Sequence, residues 1–406
     1  VDTDSQHGHT TGLILSGGGA RAAYQAGVLQ AVSCILWEAG WPVTRNPFDI
    51  ICGTSAGALN ATALACRADD FGEAVTRLSD VWHGIEVGQV YRADSLAVLR
   101  SGARWLSLLS FGWLLRKWRA APPQALLDNT PLAGLLHHML DLPRLDAALA
   151  GGHLQALAIT ASSYTSGHHL TFYQSAREVA PWQRHQRMAL PSQIGVEHLL
   201  ASSALPFIFP AVPLYMDGGL EYCGDGSMRQ LAPISPAIHL GATRVLVIGA
   251  GRMSENERRP VQKATYPSIA QIAGHALSSI FLDSLAVDIE RLTRINKTLS
   301  GLPPEVLART SLRPVELLVI APSERLDDIA ARHTHNLPAP VRTLLGGIGA
   351  TEARGAALAS YLLFESGYTR ELMELGRRDT FGRRADVKAF FAHQRVASAS
   401  TSEALA

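Results

Sequence analysis

The sequence predicts an α/β fold, a central and mostly parallel sheet covered by helices, and three observations lead there. Short β-like apolar runs alternate with helical spacing over the first 250 residues. Two of those runs pass at once through a small-residue turn into a helical pattern, over residues 12–40 and again over 48–66. Hydrophobic residues make up 47% of the 406 positions and charged residues 17%, which suits a chain with a large buried core and excludes wholesale disorder.

Taken in order, residues 12–15 read as a buried strand, 20–40 as a helix, 48–52 as a second strand and 56–66 as a small-residue helix. Further strands are expected at 154–160, 169–173 and 244–248, each bounded by turn or polar residues. Residues 212–216 and 220–223 form two strand-like runs joined by Asp217-Gly218-Gly219, a composition that suits a tight hairpin turn. The text becomes polar and charged over 254–263. This places one unit at 10–251 and a mostly helical extension at 252–406, which either stands apart or packs on the same core. Within the extension a strand is expected at 315–320, one or two amphipathic helices over 269–299 and a helix at 356–375. A frayed end is expected from 395 onward.

Composition also excludes functions. With 36 Lys and Arg against 35 Asp and Glu, the chain lacks the broad basic footprint that phosphate neutralisation asks for, so nucleic acid is not an expected partner. Cys34, Cys52, Cys66 and Cys223 are widely spaced, with no C-x-x-C pair. Neither a zinc site nor a disulfide framework is expected, and a reducing, cytoplasmic setting is. Residues 1–10 lack a basic stretch followed by an apolar run, so they do not read as a signal peptide. No window holds 18 to 20 consecutive apolar residues.

Chemistry concentrates in two turns. Gly53-Thr54-Ser55-Ala56-Gly57 lies between a strand and a helix, the setting in which G-x-S-x-G becomes a nucleophile elbow. Ser55 as an ordinary helix N-cap remains the alternative. Ser16-Gly17-Gly18-Gly19-Ala20-Arg21-Ala22 also sits between a strand and a helix, and its successive amides suit an anion or the oxyanion of acyl transfer. The same residues satisfy G-x-G-x-x-A, a dinucleotide fingerprint. The acidic residue at the required distance, Glu38, closes a helical pattern instead of a second strand. No histidine stands in a persuasive catalytic setting: His137 and His138 lie in a helical stretch, His168 and His169 open a strand, and His239 follows Ala237-Ile238 in an apolar helix. Asp217 and Asp225 stand out instead, each followed by glycine.

These residues together resemble the patatin-like phospholipases, lipid acyl hydrolases, through three ordered motifs over roughly residues 10 to 250. They are the glycine loop with Arg21, the elbow with Gly53 and Gly57, and a later Asp-Gly. The resemblance implies a three-layer α/β/α catalytic unit and a Ser–Asp dyad without histidine. It implies an oxyanion hole at Gly17, Gly18 and Gly19 with Arg21 in support, a phospholipid ester as substrate, and no cofactor or metal. Ser16, Ala22 and Ser227 depart from the family's usual Asp, Gly, and Gly or Ala. Asp225 is favoured as the base because Pro233 follows it as in the family's Asn-x-Pro, with Leu231 in place of Asn, while Asp217 has the hairpin to turn. The activity expected is hydrolysis of lipid carboxylic esters, of phospholipase A or lysophospholipase type. The alternative is a catalytically silent lipid-binding or scaffold protein.

One further stretch, residues 105–115, carries Trp105 and Trp113 among bulky apolar residues flanked by Arg104, Arg116, Lys117 and Arg119. It suits a peripheral membrane contact or a lid over an acyl pocket, with a plain buried helix as the alternative.

Overall fold

The computed structural model describes residues 9–94, 125–216, 218–252, 266–347, 349–350 and 355–392. Ten strands form one mixed sheet: β1 (Thr11–Leu15), β2 (Ile50–Thr54), β3 (Ala156–Ser163), β4 (His169–Ser175), β5 (Trp182–Arg184), β6 (Arg187–Pro191), β7 (Val212–Met216), β8 (Gly219–Asp225), β9 (Arg244–Ile248) and β10 (Glu316–Ile320). The order runs β10-β9-β1-β2-β3-β4-β6-β5, and β8 joins β3 and β7 off that path. From β10 through β3 every pairing is parallel, whereas β3–β4, β5–β6, β7–β8 and β3–β8 are antiparallel.

Both faces of the parallel part are buried, and the side-chain alternation of a strand divides the core in two. Leu13, Leu15, Ile51, Leu157, Ile159, Leu246 and Ile248 point to one cluster. Ile14, Ile50, Cys52, Ala156, Ala158, Val245 and Val247 point to the other. The first is covered by α1 (Ala23–Glu38), α2 (Ala56–Ala65) and α3 (Phe71–Gly84), which supply Val28, Leu29, Ala61, Leu78 and Trp82. Leu132 and Leu136 of α4 (Thr130–Met139) and Leu199 of α5 (Val196–Ser202) belong to the same cluster. The architecture is therefore an α/β/α sandwich.

The residues beyond 251 enter this body directly. β10 pairs with β9 in parallel register, and buried Arg244 of β9 reaches Glu316 of β10 at 3.0 Å. Residues 270–300 run as one helix, α6 (Ile269–Ser278) and α7 (Ser284–Ser300) joined by a π-turn at Ser279–Asp283. By length and composition that helix could cross a membrane. Here its Leu285 and Leu292 lie in the second cluster, and the Asp288 carboxylate accepts from the amide of Ile234 at 3.0 Å.

After α8 (Leu326–His333), the helix expected over 356–375 is instead two, α9 (Ala356–Leu362) and α10 (Ser366–Gly382). Leu363 leaves helical geometry with ψ 68°, Glu365 forms a β-bridge with Glu86, and the Tyr91 hydroxyl donates to the carbonyl of Leu362 at 2.9 Å. These tertiary contacts outweigh the local helical spacing. α10 crosses α1 with backbones touching: a methyl on Gly27 would strike the carbonyl of Met373, and one on Gly376 the carbonyl of Tyr24. The four cysteines are free, and three of them are buried.

Candidate active site

β2 ends at Thr54 and α2 begins at Ala56, so Ser55 alone makes the turn. Its backbone sits at φ 55° and ψ −131°, a conformation that L side chains seldom adopt and that surrounding structure must hold in place. Close packing does so. α2 approaches the end of β1 so nearly that a methyl on Gly57 would collide with the carbonyls of Leu15 and Ser16. The amide of Ser55 donates to Ser202 Oγ of α5 at 2.9 Å. The Ser55 hydroxyl makes no helix cap; it donates to Asp225 Oδ2 at 2.6 Å.

That meeting follows from the sheet. β2 pairs with β3 as far as Thr54 opposite Thr160, and β8 pairs with β3 from Asp225 opposite Ala161. β4 occupies the other edge of β3 over the same stretch, so β2 and β8 meet end to end on the free edge. Ser55 and Asp225, 170 positions apart in sequence, are thereby placed side by side. The junction is tied by Thr54 Oγ1 to Thr160 Oγ1 at 2.8 Å and by Gln230 Nε2 to Thr54 Oγ1 at 2.8 Å.

Both groups are closed off from water, Ser55 at 1% and Asp225 at 0% exposure. Burial pushes the Asp225 carboxyl up to about 6, against the stabilising effect of the Ser55 hydroxyl and of the Ser227 amide and side chain. Its Oδ1 accepts from that amide at 2.8 Å. His169 lies next to the Asp225–Gly226 turn, with Nε2 at 3.1 Å from the carbonyl of Gly226. Burial pulls its imidazole down to about 4, so it is neutral at pH 7, and facing a carbonyl its Nε2 is the protonated nitrogen. It supports the turn and faces no nucleophile. His239 stacks on Trp182 with ring centroids 4.8 Å apart.

The glycine loop lies beside this pair. The amides of Gly17 and Gly18 donate to no protein carbonyl among the described residues, which leaves them free for an anionic oxygen. Gly19 takes φ 54° and packs so tightly on the carbonyl of Tyr361 that a side chain there would collide. Ser16 fastens the loop to the sheet, with its Oγ accepting from the amide of Ala250 at 2.9 Å. Arg21 turns away into the protein. Its Nε donates to Ser360 Oγ at 2.7 Å, its Nη2 pairs with Asp327, and its guanidinium lies 4.0 Å over the Tyr361 ring. Glu38, the acid that a dinucleotide site would use, ends α1 and pairs with Arg384 at 3.1 Å.

A narrow apolar crevice opens at Ser55 and Gly19. Leu59, Trp82, Leu136, Met139, Leu205 and Phe364 are among its walls, and Trp82 and Phe364 stack at 6.4 Å. Ser202, His169, Gln230, Asp327 and Ser360 had no place in the sequence reading of the site. No local signal could have found them: Arg21 meets its two partners 306 and 339 positions downstream. Met216 pairs with Gly219 to close the expected hairpin. Asp217, Trp105 and Trp113 lie outside the described residues.

Residues 13–238 match the family model described as patatin-like phospholipase. A cGAMP-activated phospholipase of Pseudomonas aeruginosa is 27% identical over 251 residues, which cover 58% of this chain and 61% of that relative's length. Among solved structures, human GIVD cytosolic phospholipase A2 aligns at 14% identity over 98% of this chain and 60% of its own, with a TM-score of 0.41. VipD from Legionella pneumophila aligns at 15% identity over 91% and 67%, with a TM-score of 0.34. Neither structural likeness is close enough to bear on the site.

Proposed function

Because this chain belongs to the patatin-like phospholipase family, whose model spans more than half of it, we propose that it is a serine acyl hydrolase of phospholipid esters working through a Ser55–Asp225 dyad. The observation that carries this reading is the 2.6 Å hydrogen bond from the Ser55 hydroxyl to a fully buried carboxylate, at the mouth of an apolar crevice. Ser55 Oγ attacks the ester carbonyl carbon while its proton passes to Asp225 Oδ2. The carbonyl oxygen becomes an oxyanion held by the Gly17 to Gly19 loop and favoured by the nearby N-terminus of α2. Collapse breaks the ester C–O bond, and the departing alkoxide takes the proton from Asp225. Water then enters, gives a proton to Asp225 and attacks the acyl-enzyme. The fatty acid leaves and the proton returns to Ser55.

A carboxyl raised to about 6 suits both halves of this cycle, since it is ionised at pH 7 yet basic enough to hold a proton briefly. The crevice suits a single acyl chain, because its walls are aliphatic and aromatic side chains with no charge among them. Contact with a membrane surface would deliver that chain. Supporting it are the Trp105 to Leu115 stretch and the outer face of the β7–β8 hairpin, where Tyr215, Leu220 and Tyr222 lie exposed.

The test is labelling by a fluorophosphonate probe together with fatty-acid release from phosphatidylcholine vesicles, wild type against Ser55→Ala. Labelling and release in the wild type, both lost in the variant, are expected. A folded wild type that does neither overturns the hydrolase and leaves a silent lipid-binding protein on the same fold.

A further inference from the structure

We propose that the Ser227 hydroxyl is a side-chain donor to the oxyanion, a third hydrogen bond beside those of the Gly17 and Gly18 amides; this rests on the hydrolase reading above. Ser227 is 4% exposed, and its Oγ is buried without a hydrogen-bonding partner. Its neighbours are not like this. Ser55 Oγ is held by Asp225, Ser202 Oγ by the amide of Ser55, Ser203 Oγ by the carbonyl of Leu199 at 2.8 Å, and Thr54 Oγ1 by Thr160 and Gln230. A buried hydroxyl left unpaired in so well-paired a site asks for a partner that arrives with the substrate.

Its position says which part of the substrate. The backbone amide of Ser227 already serves Asp225 Oδ1 at 2.8 Å, so the turn is built without the side chain. The hydroxyl itself lies against the glycine loop, 2.5 Å from where a methyl on Gly17 would stand. It therefore sits between the base and the loop whose free amides would receive the carbonyl oxygen. When the tetrahedral intermediate forms, that oxygen gains charge and can draw the donor of a hydroxyl that makes no hydrogen bond of good geometry, although it lies near enough to the Asp225 carboxyl to help hold it down. The hydroxyl keeps its proton throughout; it donates a hydrogen bond and transfers nothing.

Ser227→Ala removes one oxygen, and Asp225 keeps its hydrogen bonds from the Ser55 hydroxyl and the Ser227 amide. The measurements are kcat and KM on a short 4-nitrophenyl ester, the rate of fluorophosphonate inactivation, the pH profile and the melting temperature. Expected are a roughly 10- to 100-fold loss in kcat with KM within about two-fold, and an equal slowing of inactivation, since the phosphonyl oxygen occupies the oxyanion position. The acid limb of the pH profile should move upward a little, since the hydroxyl also helps to lower the Asp225 carboxyl, while the loss in kcat persists at high pH where Asp225 is ionised in both proteins.

Wild-type kcat in Ser227→Ala overturns the proposal, and so does a loss confined to KM. A loss that vanishes at high pH, so that the shifted acid limb accounts for all of it, would make Ser227 a positioning residue for Asp225 and overturn the oxyanion role. Ser55→Ala runs alongside: its inactivity with full activity in Ser227→Ala sinks only the Ser227 assignment. Full activity in Ser55→Ala, or a wild type that neither turns over nor labels, sinks the hydrolase reading with it.

Discussion

The elbow at Ser55 and the clamp at Arg21 stand near the heads of neighbouring helices, and they hold their shapes by opposite means. The elbow is local: strand, strained residue and helix follow one another within a few positions, and packing on β1 keeps the strain in place. The clamp is remote. Arg21 anchors the glycine loop through Asp327, Ser360 and Tyr361, all from the last quarter of the chain. The first arrangement sets the buried Ser55 hydroxyl, the proposed nucleophile, against Asp225; the second fixes the loop whose amides are proposed to hold the oxyanion. Chemistry and rigidity are therefore separable by substitution.

The sharpest separation is Ser55→Ala, which should cut ester turnover by roughly 10⁴-fold or more while leaving the melting temperature at or above the wild-type value. A comparable activity in the variant would remove Ser55 from the chemistry. Arg21→Met should do the reverse. It leaves Asp327 with the longer 3.6 Å contact to Arg325 in place of its buried partner, and leaves Ser360 Oγ without its donor, so urea unfolding should show a loss of about 3 kcal/mol. Unchanged stability would mean the clamp is ornamental and the two regions do not differ in kind.

Asp225→Asn tests both properties in one residue. The folded protein holds the proton of this carboxyl more tightly than the unfolded chain does, since burial raises it to about 6. The contribution of this group to stability is therefore greatest below about pH 4 and falls as the pH rises toward 6, and above that the ionised group is a burden. The neutral amide should stabilise the protein at pH 8 by roughly 2 to 3 kcal/mol and abolish turnover. Wild-type kcat/KM should fall as the pH drops through about 6, because the base is then protonated. If Asp217→Asn is instead the silent variant, the dyad assignment is wrong.

Smaller effects are expected at the surface. Trp105→Ala with Trp113→Ala, or Tyr215→Ser with Leu220→Ser, should weaken vesicle binding several-fold and spare a short soluble ester. Equal loss on both substrates with a lowered melting temperature would assign those side chains to the core. The smallest expected change is none: no cluster of three metal-ligating side chains occurs among the described residues, and a chelator should leave soluble-ester turnover untouched. A calcium requirement on that substrate would contradict a dyad with backbone donors.

What the sequence by itself determined is whatever is encoded over a few neighbouring positions. The strand–turn–helix order, the elbow, the glycine loop and the hairpin are of this kind, because periodicity and turn chemistry act over short range. It also pointed to Asp225, through the residues that follow it. Tertiary structure alone decided how the pieces meet. Only the pairing of β2 and β8 along β3 puts the serine against the carboxylate, and only the folded tail explains why Arg21 is buried. The break between α9 and α10 was invisible for the same reason, since its cause, the strand-like contact of Glu365 with Glu86, lies far away in sequence. Long-range pairing and burial depend on the whole chain, and burial is what gives the Asp225 carboxyl its raised affinity for a proton.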